Sequence, residues 1–293
     1  VFSENIFNNI WIQPAAGDAG GALGAAIFTH YHHLNNPRKA DGRRDIQSGS
    51  HLGPAFSTDE IVQWLKSQNY PYHRMPDDKL FPKVAAEINN QKVIGWFSGR
   101  MEFGPRALGG RSIIGDARSP KMQEKMNLKI KYRESFRPFA PSCIVEDVSE
   151  YFELDRESPY MLLVALVRKD RRKKMTVEQQ RLFGIDKLNV SRSDVPAITH
   201  VDYSARVQTV DKRDNPNYHR LISEFKKLTG YGIIINTSFN VRGEPIVCTP
   251  EDAYLCFMRT EMDVLVLENC VLYKDEQTAL KEDADWRNIY ELD

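Results

Sequence analysis

From residue 92 onward, short apolar runs alternate with segments that carry helix start and stop signals, and this alternation restricts the chain to layered α/β folds. "KVIGWFSG" (92–99), "YMLLVALV" (160–167), "SARVQTV" (204–210), "YGIIIN" (231–236) and "MDVLVLENCVLY" (262–273) read as strands. Between them, "SPKMQEKMNLKI" offers Ser119 as cap and Pro120 as first helical residue. "YHRLISEFKKLTG" sets Tyr218, Leu221, Ile222, Phe225 and Leu228 on one helical face and stops at Gly230. "TPEDAYLCFMRT" is a helix capped by Thr249, and upstream "STDEIVQWLKS" opens with a Ser57–Glu60 capping box. Residues 168–194 are strongly charged and read as a mobile excursion or lid. The first 34 residues read as a strand ("NIWIQP"), a glycine turn and a helix. One such unit cannot bury its own faces, so it reads as the tail of another domain. Residues 35–51 read as a linker and 52–293 as the main domain.

Of the 293 residues, 40 are basic and 40 acidic, which argues against a general nucleic-acid surface and makes any anion site local. No apolar run reaches the roughly 18 residues of a membrane span. Cys143, Cys248, Cys256 and Cys270 form no metal-type spacing, and reduced thiols fit a cytoplasmic protein. Cys248 reads as buried and without a nearby base, so a nucleophilic role is rejected.

The chemistry collects in three polar loops. In "FSGRMEFGPRALGGRSIIGDAR" (97–118), Arg100, Arg106 and Arg111 are threaded through glycines on a backbone that reads as pliable. "IKYRESFRPFAPS" (130–142) adds Lys131, Arg133 and Arg137; "NTSFNVRGEP" (236–245) adds Asn236, Thr237, Ser238, Asn240 and Arg242. Guanidinium forks match phosphate oxygens, and glycines let backbone amides approach the same oxygens. The plain alternative is a set of surface ion pairs, Arg100 with Glu102 and Arg133 with Glu134, worth almost nothing. Dense glycine, proline and aromatic spacing argues for a built site. Phe97 and Phe103 read as core residues. Arg206 and Gln208 point the same way from one strand. His200 either positions a phosphate or is a turn histidine satisfied by Asp202, and Arg242 could simply pair with Glu244.

These motifs, together with "HVDYSARVQTV", resemble the C-terminal domain of the O-carbamoyltransferases, the nodulation, tobramycin and cephamycin enzymes, across residues 52–275. The resemblance implies a YrdC/Sua5-like open twisted mixed sheet with helices. Its K-x-R…S-x-N signature falls on Lys131, Arg133, Ser238 and Asn240. "IQPAAGDAGGALGAA" resembles the last strand, turn and helix of the family's Kae1-like, actin/Hsp70-type ATPase domain. There Asp18 would be one ligand of iron or another divalent metal whose histidine ligands lie upstream of this chain. His30, His32 and His33 read as a solvated helix end and do not replace them.

The resemblance implies that carbamoyl phosphate, ATP and Mg²⁺ yield carbamoyl adenylate, with the carbamoyl group passed on to a hydroxylated small molecule. In that scheme Lys131 and Arg133 hold phosphate, and Ser238 and Asn240 bond the α-phosphate or carbamoyl group. Arg100, Arg106, Arg111, Asn236, Thr237, His200 and Arg206 line the ATP and carbamoyl-phosphate site. The rival readings are a threonylcarbamoyl-adenylate synthase and a double-stranded RNA binder. The acceptor and the oligomeric state, a homodimer included, are left open.

Overall fold

The computed structural model describes residues 4, 6–8, 10–39 and 45–280. Helix α1 (Asp18–Phe28) runs on into a π-helical turn, Thr29–His33. After it come α2 (Thr58–Ser67), β1 (His73–Arg74), α3 (Asp77–Asn89), β2 (Ile94–Phe97), β3 (Arg111–Gly115) and α4 (Met122–Lys129). The middle of the chain holds β4 (Ala140–Ile144), α5 (Val148–Tyr151), β5 (Leu163–Leu166), α6 (Val177–Arg181), α7 (Gly184–Leu188) and β6 (Ser204–Val210). The last elements are α8 (Pro216–Thr229), β7 (Ile233–Ser238), α9 (Pro250–Arg259), β8 (Val264–Leu267) and β9 (Cys270–Tyr273).

The strands form one mixed sheet in the order β1-β9-β8-β2-β3-β7-β4-β6-β5. Only the β2–β8 and β4–β6 pairs are parallel. Side chains alternate between the faces at every second residue, which divides the core in two. Phe97, Ile113, Ile233, Ile235, Leu265 and Val207 pack on one face beneath α2, α4, α5 and α9. Trp96, Ile114, Ile234, Val266 and Val210 pack on the other beneath α3 and α8. The layered α/β architecture expected from the alternation of elements, and the mixed sheet that the resemblance implies, are observed.

Several local expectations are met. Ser57–Glu60 and Thr249–Asp252 form reciprocal capping boxes, and Gly230 ends α8 at φ +80°. Others are corrected. Residues 10–13 form no strand and have no strand beside them among the described residues; Asn9 lies outside those residues. The helix after the turn starts at Asp18, earlier than the glycines suggested. Ser119 and Pro120 lie in a turn before α4, whose cap is Lys121. Leu228 is exposed at the end of the apolar stripe of α8. The run 262–273 folds back as a hairpin of β8 and β9, with Glu268 in the turn at φ +48°.

Residues 45–51, expected as linker, are packed in place: Gln47, Gly49 and Ser50 are buried, and the Phe103 amide donates to the Ser50 carbonyl at 2.7 Å. Residues 40–44 of that linker lie outside the described residues. The 168–194 excursion is pinned at its base by Arg171–Asp194 (2.6 Å) and Arg172–Glu153 (3.0 Å), with Ser193 fully buried. Cys248 is half-buried rather than buried. No helix among the described residues is long and apolar enough to cross a membrane.

Candidate functional site

The arginine loop joins β2 to β3, and its backbone is held from both sides. Carbonyls point outward to buried side chains. Asn236 Nδ2 donates to Ala107 O (3.0 Å), Gln208 Nε2 to Leu108 O (2.8 Å) and Trp96 Nε1 to Gly109 O (2.9 Å). Amides point inward: Leu108 and Gly110 donate to Glu102 Oε1 at 2.6 and 2.7 Å, Arg111 at 3.4 Å, and Gly109 to Ser112 Oγ at 3.0 Å. The backbone expected to be pliable is therefore held, with the carbonyls of 107–111 and the amides of 108–111 satisfied inside the protein. Gly109 is needed there. It sits at φ +101°, and a Cβ would lie 2.2 Å from the Tyr218 ring.

The arginines of the loop separate into different roles. Arg111 is fully buried, its guanidinium 3.5 Å over the Phe97 ring and donating to the carbonyls of Gly99, Gly110 and Pro54. Burial lowers its pKa to about 10, a cost that Glu102 and Glu268 partly offset. Expected to grip an anion, Arg111 in this structure organises the loop: its Nη1 and Nη2 face carbonyls, and its Nε is buried without a partner among the described residues. Arg100 is exposed and donates to Gly53 O at 2.8 Å. The ion pair considered for it does not form, since Glu102 is buried and taken up by amides. Phe97 is core as expected, and Phe103 is half-buried.

Arg106 is different. Its Nε and that of Arg206 on β6 are buried with no hydrogen-bond partner among the described residues. The pKa of Arg206 is lowered first by burial and then by the positive charge of Arg106. Two neighbouring, half-buried guanidiniums that repel each other make a site that an anion would stabilise. His200 lies close by. Burial lowers its pKa, Asp202 opposes that shift and Arg206 reinforces it. Its backbone closes a turn with Ser204 (2.9 Å).

On the far side of β7, the chain leaving α4 brings in the second basic group. Lys131 is 3 % exposed, and its Nζ lies 2.6 Å from Ser238 O, 3.3 Å from Ser238 Oγ, 2.8 Å from Asn240 O and 2.7 Å from Asn240 Oδ1. An ammonium has three N–H groups, so these oxygens use all of them. Expected to hold phosphate, Lys131 in this structure braces the 238–240 turn. Burial drives its pKa down to about 7.

Arg133 is held through Nε by Asn127 Oδ1 (2.7 Å) and lies 5.1 Å over the Phe139 ring. Its pKa is lowered to about 10 by burial and by Arg137, which itself pairs with Glu134 at 2.8 Å. Sequence reasoning missed Asn127. It is fully buried and also donates to Ser135 O and Arg137 O, so it shapes the whole 133–137 loop. A lone Asn inside a helical segment gives no signal of this.

Strand β7 is the common support. Asn236 holds the arginine loop, Ser238 meets Lys131, and the Phe239 amide donates to Arg111 O at 3.1 Å. Asn236 and Ser238 are two residues apart, about 6.7 Å, and point to the same side. Segments 107–111, 131–133 and 236–240 therefore meet at one strand end. Thr237 is half-buried between them, and the Oδ1 of Asn236 is buried without a partner. Gln208, buried on β6, donates to Leu108 O, and its Oε1 accepts from both Ser142 and Asn236, which ties β6 to the group.

A shallow recess lined by His51, Leu108, Gln208, Asp211, Asp214 and Asn215 shares none of the expected site residues. Asp18 is exposed at the start of α1. Among the described residues no three His, Cys, Asp or Glu side chains converge to hold a metal.

The carbamoyltransferase C-terminus family pattern matches residues 85–274, the span that contains every one of these loops, and the carbamoyltransferase N-terminus pattern matches residues 1–27. The chain belongs to the carbamoyltransferase family. It is 59 % identical over 99 % of its length to an uncharacterized protein of Synechocystis, of which it covers 47 %. It is 41 % identical over 90 % of its length to nodulation protein NolO of Bradyrhizobium diazoefficiens, covering 44 % of that protein. The 3'-hydroxymethylcephem-O-carbamoyltransferase of Streptomyces clavuligerus is 32 % identical over 89 % of this chain, which covers 43 % of that enzyme. The chain thus spans about half the length of the curated relatives it matches. A crystal structure of full-length HypF in its phosphate- and nucleotide-bound form aligns with 16 % identity over 73 % of this chain and 23 % of that one, at a TM-score of 0.41, too distant to guide the placement of any residue.

Proposed function

We propose that this chain is the carbamoyl-activating part of an O-carbamoyltransferase, binding carbamoyl phosphate and ATP and forming carbamoyl adenylate. The observation that carries this reading is the meeting of three loops at one end of β7, with the Arg106–Arg206 pair on one side and Arg133 on the other. Mass balance needs water. Carbamoyl phosphate and water give carbamate and phosphate; a carbamate oxygen then attacks the α-phosphorus of ATP, the bond to the β-phosphate breaks, and pyrophosphate leaves. Charge grows on the phosphoryl oxygens and on the departing pyrophosphate, and fixed cations stabilise it without reorganising. Arg106 and Arg206 would meet a phosphate dianion, and Arg133, held only by its Nε, would meet the nucleotide. Lys131 keeps Ser238 and Asn240 in place, Ser238 Oγ donates to Asn240 Oδ1 at 2.7 Å and Asn240 Nδ2 to Glu244 O at 2.6 Å, so the 238–240 turn would be preorganised beside the acyl phosphate. Mg²⁺ would arrive as the counter-ion of ATP. Transfer to a hydroxyl acceptor, in line with the printed name of the Streptomyces relative, is a reading for the whole-length protein.

The test is to incubate the chain with ATP, Mg²⁺ and carbamoyl phosphate, and to follow pyrophosphate–ATP exchange and carbamoyl adenylate by mass spectrometry. Exchange that depends on carbamoyl phosphate, lost by about 100-fold or more in Arg133→Ala and Asn240→Ala, is the expected result. An absence of exchange in the native chain, or native rates in both variants, overturns the assignment.

A further inference from the structure

We propose that Glu102 is a positioning residue for the anion site: it folds the loop that carries Arg106 and so sets that guanidinium beside Arg206. This rests on the functional reading above. Glu102 stands in sequence among Arg100, Arg106 and Arg111, yet it is 6 % exposed, and its Oε1 takes the amides of Leu108, Gly110 and Arg111. A buried carboxylate accepting amides from residues six to nine positions ahead closes the intervening chain into a loop, with Arg106 between the anchor points.

Arg106 itself makes no side-chain hydrogen bond or ion pair among the described residues. Its Nε is buried without a partner, and the nearby charge of Arg206 pushes it away. Its position is therefore dictated by backbone, and that backbone is gripped on its amide side by Glu102 and on its carbonyl side by Asn236, Gln208 and Trp96. The second oxygen, Oε2, is buried and unpartnered. An amide in place of the carboxylate therefore keeps the Oε1 contacts, whereas a side chain one methylene shorter withdraws the oxygen from amides now at 2.6–2.7 Å.

Calorimetric titration with inorganic pyrophosphate tests this, with thermal unfolding as a check on folding. Glu102→Asp should weaken binding at least tenfold, and Glu102→Gln should rescue it to within threefold of native. In a double-mutant cycle, adding Glu102→Asp to Arg106→Ala should weaken binding by less than twofold beyond Arg106→Ala alone, because Glu102 acts through that arginine. Native binding by Glu102→Asp, or additive losses in the cycle, overturns the positioning role while leaving the anion site standing. A native chain that does not bind pyrophosphate overturns both.

Discussion

Lys131 shows how far a residue's neighbours can move its role. The spacing of Lys131 and Arg133 against Ser238 and Asn240 was visible in the chain, and the fold does bring Lys131, Ser238 and Asn240 into contact. What spacing could not show is that the ammonium would be enclosed by four protein oxygens at 3 % exposure. Its pKa falls from 10.5 to about 7 when the chain folds. Between those values the unfolded state binds more protons than the native state, so this residue's contribution to stability rises with pH, by about 1.4 kcal/mol per unit. Below pH 7 both states are protonated, and the burial cost is present in full. Urea unfolding of the native chain and Lys131→Met at pH 7 and pH 9 should show the difference shifting toward the native chain by about 2–3 kcal/mol. A pH-independent difference would show that Lys131 does not titrate on folding.

At the scale of elements, capped helices were the most legible features, because a cap is a local bargain between a side chain and amides within one turn. Ser57–Glu60 and Thr249–Asp252 are such cases, whereas the Ser119–Pro120 signal was absorbed by a turn ahead of α4. The arginine loop was the reverse. Its glycines suggested mobility, but they serve a tightly packed path. Gly99 and Gly109 separate the two demands a glycine can answer. Gly99, at φ +66°, has open space where a Cβ would sit, while at Gly109, at φ +101°, an added Cβ would lie 2.2 Å from the Tyr218 ring. Gly99→Ala should cost about 1–2 kcal/mol, from backbone conformation alone. Gly109→Ala should cost about 3 kcal/mol or more, from conformation and overpacking together. Urea midpoints compare the two, and equal losses would mean that the ring contact is relieved freely.

At the scale of the molecule, one sheet separates two apolar layers, and every strand from β9 to β6 in the spatial order contributes to both. Trp64 reports on the layer under α2 and Trp96 on the layer under α3 and α8. Because neither layer can be exposed without stripping the shared strands, Trp64→Phe and Trp96→Phe variants should unfold with coincident fluorescence and circular-dichroism midpoints. Separate midpoints would mean that the two faces melt as independent units.

The chain by itself determined the alternation of strands and helices, the cap positions and the likeness of its four motifs to the carbamoyltransferases, because those signals lie within a few residues of one another. Only the tertiary structure decided which charges are left over. Arg111 turns its terminal N–H groups to carbonyls, Lys131 meets the 238–240 turn and Glu102 Oε1 takes amides, while Arg106 and Arg206 lie close enough to repel with no ion-pair partner among the described residues. The physical reason is that a side chain's chemistry depends on the donors and acceptors that reach it. Here those come from strands that pair across more than a hundred residues.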